Sequence, residues 1–336
     1  MVGWLVMTTL CAFAQPTGGR AGLAFLQLPA NARLAALGSR HFTLPGAEAT
    51  LFIQNPALLD STKSKNLAVA VMPYLADTRL VNLAYAHSFK KMKGTWGGGI
   101  QYLNYGTLTQ TDDLGNAIGE FRVADYALSL GYGNTIQNVT IGGSLKMVGS
   151  SLESYRLWGL ALDWGAVFKH PKHDLTAGFV VKNLGFLRQN YAGGDAPPLP
   201  FDVRIGLTFK PEYMPIRFSL TAHHLNAFDQ VYNDPGLFFD FDNNGNRAPR
   251  KIAVSEKLLR HLSAGAEILL HPKFRLMLGY DHLLRQELRL RETGGLSGIS
   301  FGGWLKVERF EFSYARSQIV AGLGVNTFGA NVSLQK

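Results

Sequence analysis

Cysteine is nearly absent from this chain: one residue, Cys11, in 336, and it lies close to the start. Disulfide staples and thiol chemistry are therefore excluded from the remainder. No stretch approaches the roughly 20 consecutive apolar residues that a membrane-crossing helix needs. Charge is sparse as well, 17% of residues against 46% hydrophobic. Chemical fingerprints are also missing, with no phosphate loop, nucleotide motif or ordered Ser/His/Asp set. Ser88-x-x-Lys91 matches the opening of a penicillin-recognising serine enzyme, but the Ser-Asp-Asn and Lys-Thr-Gly elements that would complete such a site are not there. The net charge of +9 is scattered over turns and alternate strand positions. A nucleic-acid partner would need it gathered on one element among aromatics, so none is expected. No enzyme activity and no cofactor are expected either.

What is present begins with residues 1–14 (MVGWLVMTTLCAFA), a short apolar core ending in Ala12-Phe13-Ala14. This reads as a secretory signal peptide without the usual basic start, the alternative being a buried N-terminal strand. Thr8-Thr9-Leu10 ahead of Cys11 lacks the small residue of a lipoprotein cleavage site. Beyond the leader the dominant signal is a period of two. Phe201, Val203, Ile205, Leu207 and Phe209 share one face, opposite Asp202, Arg204, Gly206 and Thr208. Phe274, Leu276, Leu278 and Tyr280 oppose Arg275, Met277, Gly279 and Asp281 in the same way. Such alternation is the signature of strands with one apolar face.

The pattern predicts strands at 66–74, 79–89, 95–105, 120–132, 138–149, 152–168, 173–182, 200–210, 215–225, 260–270, 273–282, 298–307, 309–317 and 325–334. Connections after even strands are short. Those after odd strands are often long, as at 106–119, 183–199, 226–259 and 283–297. Short turns on one side and long loops on the other are the bacterial barrel arrangement. Aromatics at the ends of apolar faces favour a membrane barrel over a soluble sandwich, because interfacial girdles belong there. A sheet can cross a bilayer only when closed. The expectation is thus an all-β, transmembrane antiparallel β-barrel of about 14 strands spanning 66–336, integral to the outer membrane. Residues 15–65 do not alternate. Within them 29–37 (PANARLAAL) reads as a short helix, with Pro29 near its start and Gly38 ending it. This segment, on the periplasmic side, either plugs the lumen or only caps the barrel.

The same residues carry a family resemblance. Phe25-Leu26-Gln27-Leu28-Pro29, Ala32-Arg33, Ala36-Leu37-Gly38 and Asn55-Pro56-Ala57-Leu58 resemble the N-terminal signature of the PorV/PorQ family. Further on, residues 101–106 (QYLNYG), Ala124-Asp125-Tyr126, Lys182-Asn183 and residues 198–202 (PLPFD) resemble one branch of it, in similar order over nearly the whole chain. One departure is the end Ser333-Leu334-Gln335-Lys336, which lacks a terminal aromatic. The resemblance implies a fourteen-stranded barrel similar to long-chain fatty-acid transporters, in the outer membrane of Bacteroidota. It also implies a role in the type IX secretion system. There PorU-like, PorV-like and PorZ-like components process cargo and join it to lipopolysaccharide, and a barrel of this kind anchors the PorZ-like one.

Candidate functional residues follow from position. Loop 226–259 offers Phe238, Phe239 and Phe241 as aromatic anchors, and Arg285, Arg289 and Arg291 in the next loop suit an acidic partner or lipopolysaccharide. Arg33, Asn55, Lys146, Arg204, Glu267, Arg275 and Glu311 are expected in the lumen or plug, and Lys146, Asp202, Arg204, Glu267, Arg275, Asp281 and Glu311 are able to pair across strands. Asp240, Asp242 and Asn244, followed by Gly245, match the opening of a calcium loop. Lys251 stands where the twelfth-position Glu belongs, so an ordinary Asn/Gly turn is preferred and no metal is expected. His223 and His224 are adjacent, hence on opposite faces if they lie in a strand. Transport of hydrophobic compounds is the runner-up function and a general porin the third.

Overall fold

The computed structural model describes residues 21–153, 155–189, 196–229, 239–241, 247–249, 252–288, 295–320 and 322–334. The leader expected at residues 1–14 lies outside them. Fourteen strands form one closed antiparallel barrel: β1 (Asn66–Pro73), β2 (Arg79–His87), β3 (Thr95–Thr111), β4 (Ala117–Ile136), β5 (Val139–Leu152), β6 (Tyr155–Lys169), β7 (Asp174–Gln189), β8 (Asp202–Lys210), β9 (Ile216–Ala222), β12 (Leu262–His271), β13 (Phe274–Asp281), β14 (Ile299–Val307), β15 (Phe310–Val320) and β16 (Leu323–Ser333). Two short strands, β10 (Phe239–Phe241) and β11 (Arg247–Pro249), form a separate ribbon in the connection between β9 and β12. Each barrel strand pairs with its sequence neighbour, and β1 closes on β16 from Asn66↔Ser333 to Val71↔Phe328. No helix among the described residues is long and apolar enough to cross a membrane.

Alternation sets the two faces of the wall. In β8, Ile205, Leu207 and Phe209 are exposed on the outside, whereas Arg204 and Thr208 are buried inside. In β13 the exposed Phe274, Leu276 and Leu278 oppose the buried Met277 and Asp281 in the same way. The exposed apolar side chains recur on every barrel strand and form the band that a bilayer's hydrocarbon covers. The hydrophobic core lies inside the barrel.

Residues 21–65 fill that interior. Gly22 donates its N–H to the Pro198 carbonyl at the loop end (2.9 Å), and the Lys65 carbonyl accepts from Leu334 at the turn end (2.8 Å). The segment therefore runs the length of the lumen instead of lying only at the periplasmic mouth. It is built of short turns: 3₁₀ segments at Ala24–Gln27, Ala49–Ile53, Pro56–Leu58 and Ser61–Lys63, and one helix, α1 (Ala32–Ala36). Asn31, rather than Pro29, caps α1 by accepting from the Leu34 N–H at 2.8 Å, and Gly38 (φ +96°) follows its end. Phe42, Phe52, Leu34 and Leu51 are sealed from water. Each such burial is worth about 1.5–3 kcal/mol.

Two expected loops are largely strand. The connection predicted at 106–119 shrinks to a turn at 112–116, because β3 and β4 resume pairing past a bulge between Asn104 and Thr107. Gly106 sits there with φ +83°, a conformation open to glycine that lets the strand turn without ending. The 183–199 connection likewise starts later, since β7 continues to Gln189 beyond a register shift opposite Leu162 and Trp164. In the segment predicted as loop 283–297, His282–Leu288 forms helix α3, because Asp281 accepts from the Leu284 N–H at 2.9 Å and starts it. A further helix, α2 (Val254–Leu259), precedes β12.

Candidate functional site

The lumen is a polar lining wrapped around an apolar plug. Arg33 on α1 reaches Glu267 on β12 through two bonds, Nε to Oε1 at 2.8 Å and Nη2 to Oε2 at 2.9 Å, while Nη1 donates to the Pro45 carbonyl at 2.7 Å. Arg217 donates to the same carboxylate at 3.2 Å. Burial opposes the charge of Arg33, but Glu267 and Glu48 outweigh it and hold the pKa above its usual value. Burial pushes the Glu48 carboxyl up despite Arg33 beside it. The Arg33 pair joins plug to wall, while Arg217–Glu267 joins the neighbouring strands β9 and β12.

The other lumen candidates fall into two groups. Lys146 pairs with Asp163 on the next strand at 2.6 Å, and Arg204 with Asp202 on its own strand at 2.6 Å. Asn55 caps the Pro56–Leu58 turn, its Oδ1 accepting from Ala57 N–H at 2.9 Å. That turn is seated in the wall at Gly142 and Gly165, where any Cβ would run into the Pro56 carbonyl and the Asn55 side chain. Arg275 and Glu311 stand nearer the turn end and are only partly buried. Arg275 lies 4.0 Å over the Trp304 ring, and Glu311 accepts from Lys306 at 3.2 Å.

Sequence reasoning missed several contributors. Lys182 donates to Gln54 at 2.7 Å, His41 bonds Thr221 at 2.8 Å, and Arg40 pairs with Asp281 at 3.2 Å. Arg40 and His41 lie in a segment without periodicity, so no pattern marked them. His223 and His224 also depart from expectation. β9 ends at Ala222 and His224 has φ +53°, so both rings turn inward with Nδ1 atoms 2.7 Å apart. His261 stands beside them, its Nδ1 2.8 Å from the His223 carbonyl and its Nε2 3.0 Å from the Phe228 carbonyl. At this loop-end mouth a cavity of about 260 Å³ lies between plug and wall, lined by Arg40, Asp281, Leu284, Met72, Tyr74 and Val325 among others.

Of the loop candidates, Phe239, Asp240 and Phe241 form strand β10, paired with β11. Arg285 is half-buried and donates to the carbonyls of Gly295 and Ser297 within its own loop at 3.3 and 3.5 Å. Phe238, Arg289, Arg291, Asp242 and Asn244 lie outside the described residues. Among the described residues no group of three or more His, Cys, Asp or Glu could hold a metal ion. His170 accepts from the backbone of Lys172 and His173 within an exposed turn.

These features define a class: a closed fourteen-stranded barrel of outer-membrane type whose lumen is filled by its own N-terminal segment. No family model matches the sequence, and no curated protein matches it. In fold the chain is similar to the toluene transporter TbuX of Ralstonia pickettii (TM-score 0.51, 11% identity, 92% of this chain and 98% of that one). It is similar too to a FadL homologue of Pseudomonas aeruginosa (TM-score 0.50, 10% identity, 91% of this chain and 98% of that one). The fold is that of outer-membrane β-barrels, and the apolar outer band fits such a membrane.

Proposed function

We propose that this barrel is a non-enzymatic scaffold of the type IX secretion attachment complex, holding a PorZ-like protein at the cell surface beside PorU-like and PorV-like components. The observation that carries it is a filled lumen beneath a raised outer rim. Beyond Asn104 and Val123, where β2 and β5 stop pairing, residues 105–122 of β3 and β4 pair only with each other. This hairpin stands above the wall with exposed Leu108, Leu114 and Ile118. The ribbon β10–β11 adds further backbone at the same end, in the loop carrying Phe239 and Phe241. Sequence specificity then resides in the outer loops, and the plugged wall serves as the anchor. Deleting 230–255 leaves the barrel inserted and frees the PorZ-like protein into the medium. Unchanged surface retention would overturn the reading.

A second reading is favoured by the mouth cavity of about 260 Å³, walled by Met72, Leu284 and Val325 and polar at Arg40 and Asp281. In it the barrel takes up hydrophobic compounds, an activity that fits the toluene transporter whose fold it resembles. Uptake of a labelled hydrocarbon that is lost in a deletion strain, with surface retention intact, would favour this alternative.

A further inference from the structure

Among the described residues, lysine is unevenly placed between the two ends of the barrel. The described residues at the loop end alternate bases with acids, Asp77 near Arg79, Glu120 near Arg122 and Glu153 near Arg156, and Lys257 is the one lysine among them, paired to Asp229 at 2.6 Å. Exposed lysines gather at the turn end instead: Lys65, Lys90, Lys91, Lys93, Lys172 and Lys273. They occur there in a repeated setting. In five turns a basic residue directly adjoins an outward-facing phenylalanine: Phe89-Lys90, Phe168-Lys169, Phe209-Lys210, Lys273-Phe274 and Arg309-Phe310. These phenylalanines are all between 38% and 49% exposed, at the lower edge of the apolar band. Only the β4–β5 turn (Gln137, Asn138) lacks the pair. Of these bases Lys169 is engaged by Asp60, and the exposed acids of the same rim, Asp174 (held by Arg217), Glu212 and Glu308, are outnumbered by the six exposed lysines. Lys90, Lys91, Lys172 and Lys273 form no ion pair among the described residues.

We infer that this rim is a collar for anionic phospholipid of the periplasmic leaflet. The phenylalanine rings sit where acyl chains meet glycerol, and the adjoining lysine extends its ammonium to the phosphate. Basic residues at a membrane surface are drawn to acidic headgroups and released by salt. An acidic protein fits the geometry less well. Lys90 and Lys273 directly adjoin a ring at lipid depth, and Lys91 and Lys172 follow within the same turns, one and four residues past Phe89-Lys90 and Phe168, so the charges lie close to headgroup level. The collar is independent of any partner docked on the outer loops.

The test uses the full chain reconstituted in phosphatidylcholine vesicles with spin-labelled phosphatidylglycerol or spin-labelled phosphatidylcholine. The motionally restricted fraction reports which lipid stays at the wall. Phosphatidylglycerol is held at least about threefold more strongly, and the ratio falls towards one in 1 M salt. The combined variant Lys90→Gln, Lys91→Gln, Lys172→Gln, Lys273→Gln also brings it near one. A matched loop-end variant, Arg79→Gln, Arg122→Gln, Arg156→Gln with Arg188→Gln at the loop end of β7, leaves the ratio unchanged. Heat-modifiable gel mobility establishes that both variants are folded. A wild-type ratio near one, leaving the lysines to an acidic periplasmic protein, overturns the inference. So does a ratio that survives the lysine variant or is lost in the arginine one.

Discussion

Arg33 of the plug and Glu267 of β12 meet through two parallel hydrogen bonds, 2.8 and 2.9 Å, with both side chains sealed from water. Removing Arg33 leaves the buried Glu267 carboxylate to Arg217, and removing Glu267 leaves the buried guanidinium to Glu48 at 3.9 Å, so breaking this pair costs up to about 3–5 kcal/mol. Arg33→Met and Glu267→Gln should each lower the unfolding free energy by up to that much, read from the shift of the denaturation midpoint. Combining them should cost less than their sum, because neither charge is then left alone. Additive losses in a double-mutant cycle would show that the pair is not coupled.

The seat of the Asn55-Pro56 turn yields a prediction with its own control. Gly142 faces the lumen against the Pro56 carbonyl, and backbone atoms there have no flexible end to swing away. Gly142→Ala should destabilise the folded barrel by roughly 1–3 kcal/mol through overpacking. Gly98 has nothing within 4 Å of a built Cβ. Gly98→Ala should leave the thermal midpoint within experimental error, so equal effects at both sites would dismiss the seat.

How far the fold was readable follows from the same contrast. A wall with one wet or packed face and one lipid face prints its period on the chain, and all fourteen barrel strands lie where alternation puts them. Strand ends were less legible. Gly106 looks like a stop, yet its φ of +83° lets pairing resume at Thr107. The plug is almost silent, because its order comes from contacts such as Arg40–Asp281 and Lys182–Gln54, more than a hundred residues apart and without local pattern. Arg33, Lys146, Arg204 and Glu267 could be assigned to the interior because charge on an apolar strand or beside a short helix must face inward. Which group each would pair with could not.

His41 lies in the plug, outside the spanning strands, and burial pushes its pKa down to about 4. It bonds Thr221 at 2.8 Å as a neutral ring. In the unfolded chain the same residue takes a proton near pH 6.5. The sign follows directly: above pH 6.5 neither state is charged and stability is full, and between 6.5 and 4 only the unfolded chain gains the proton. Stability therefore falls as the pH drops through that window, by about 2 kcal/mol from pH 7 to pH 5. His41→Gln keeps a polar group that does not titrate and should remove that share of the acid loss. Identical slopes for wild type and variant between pH 7 and pH 5 would mean that His41 is charged in the fold.

The raised hairpin offers the sharpest check on docking. Residues 107–111 (TLTQT) carry no charge, and they pair with β4 on one side only. An uncharged, β-branched edge accepts an added strand readily, whereas lysine on such an edge blocks it. Leu108 and Thr109 are exposed, so lysine there should change barrel stability by no more than about 0.5 kcal/mol. If the partner docks by strand addition, Leu108→Lys with Thr109→Lys lowers its surface retention roughly tenfold, a difference of about 1.4 kcal/mol. Retention measured on whole cells beside the 230–255 deletion separates the two surfaces. Loss in the deletion alone assigns docking to the long loop, loss in the lysine variant alone assigns it to the hairpin edge, and loss in neither removes the scaffold reading altogether.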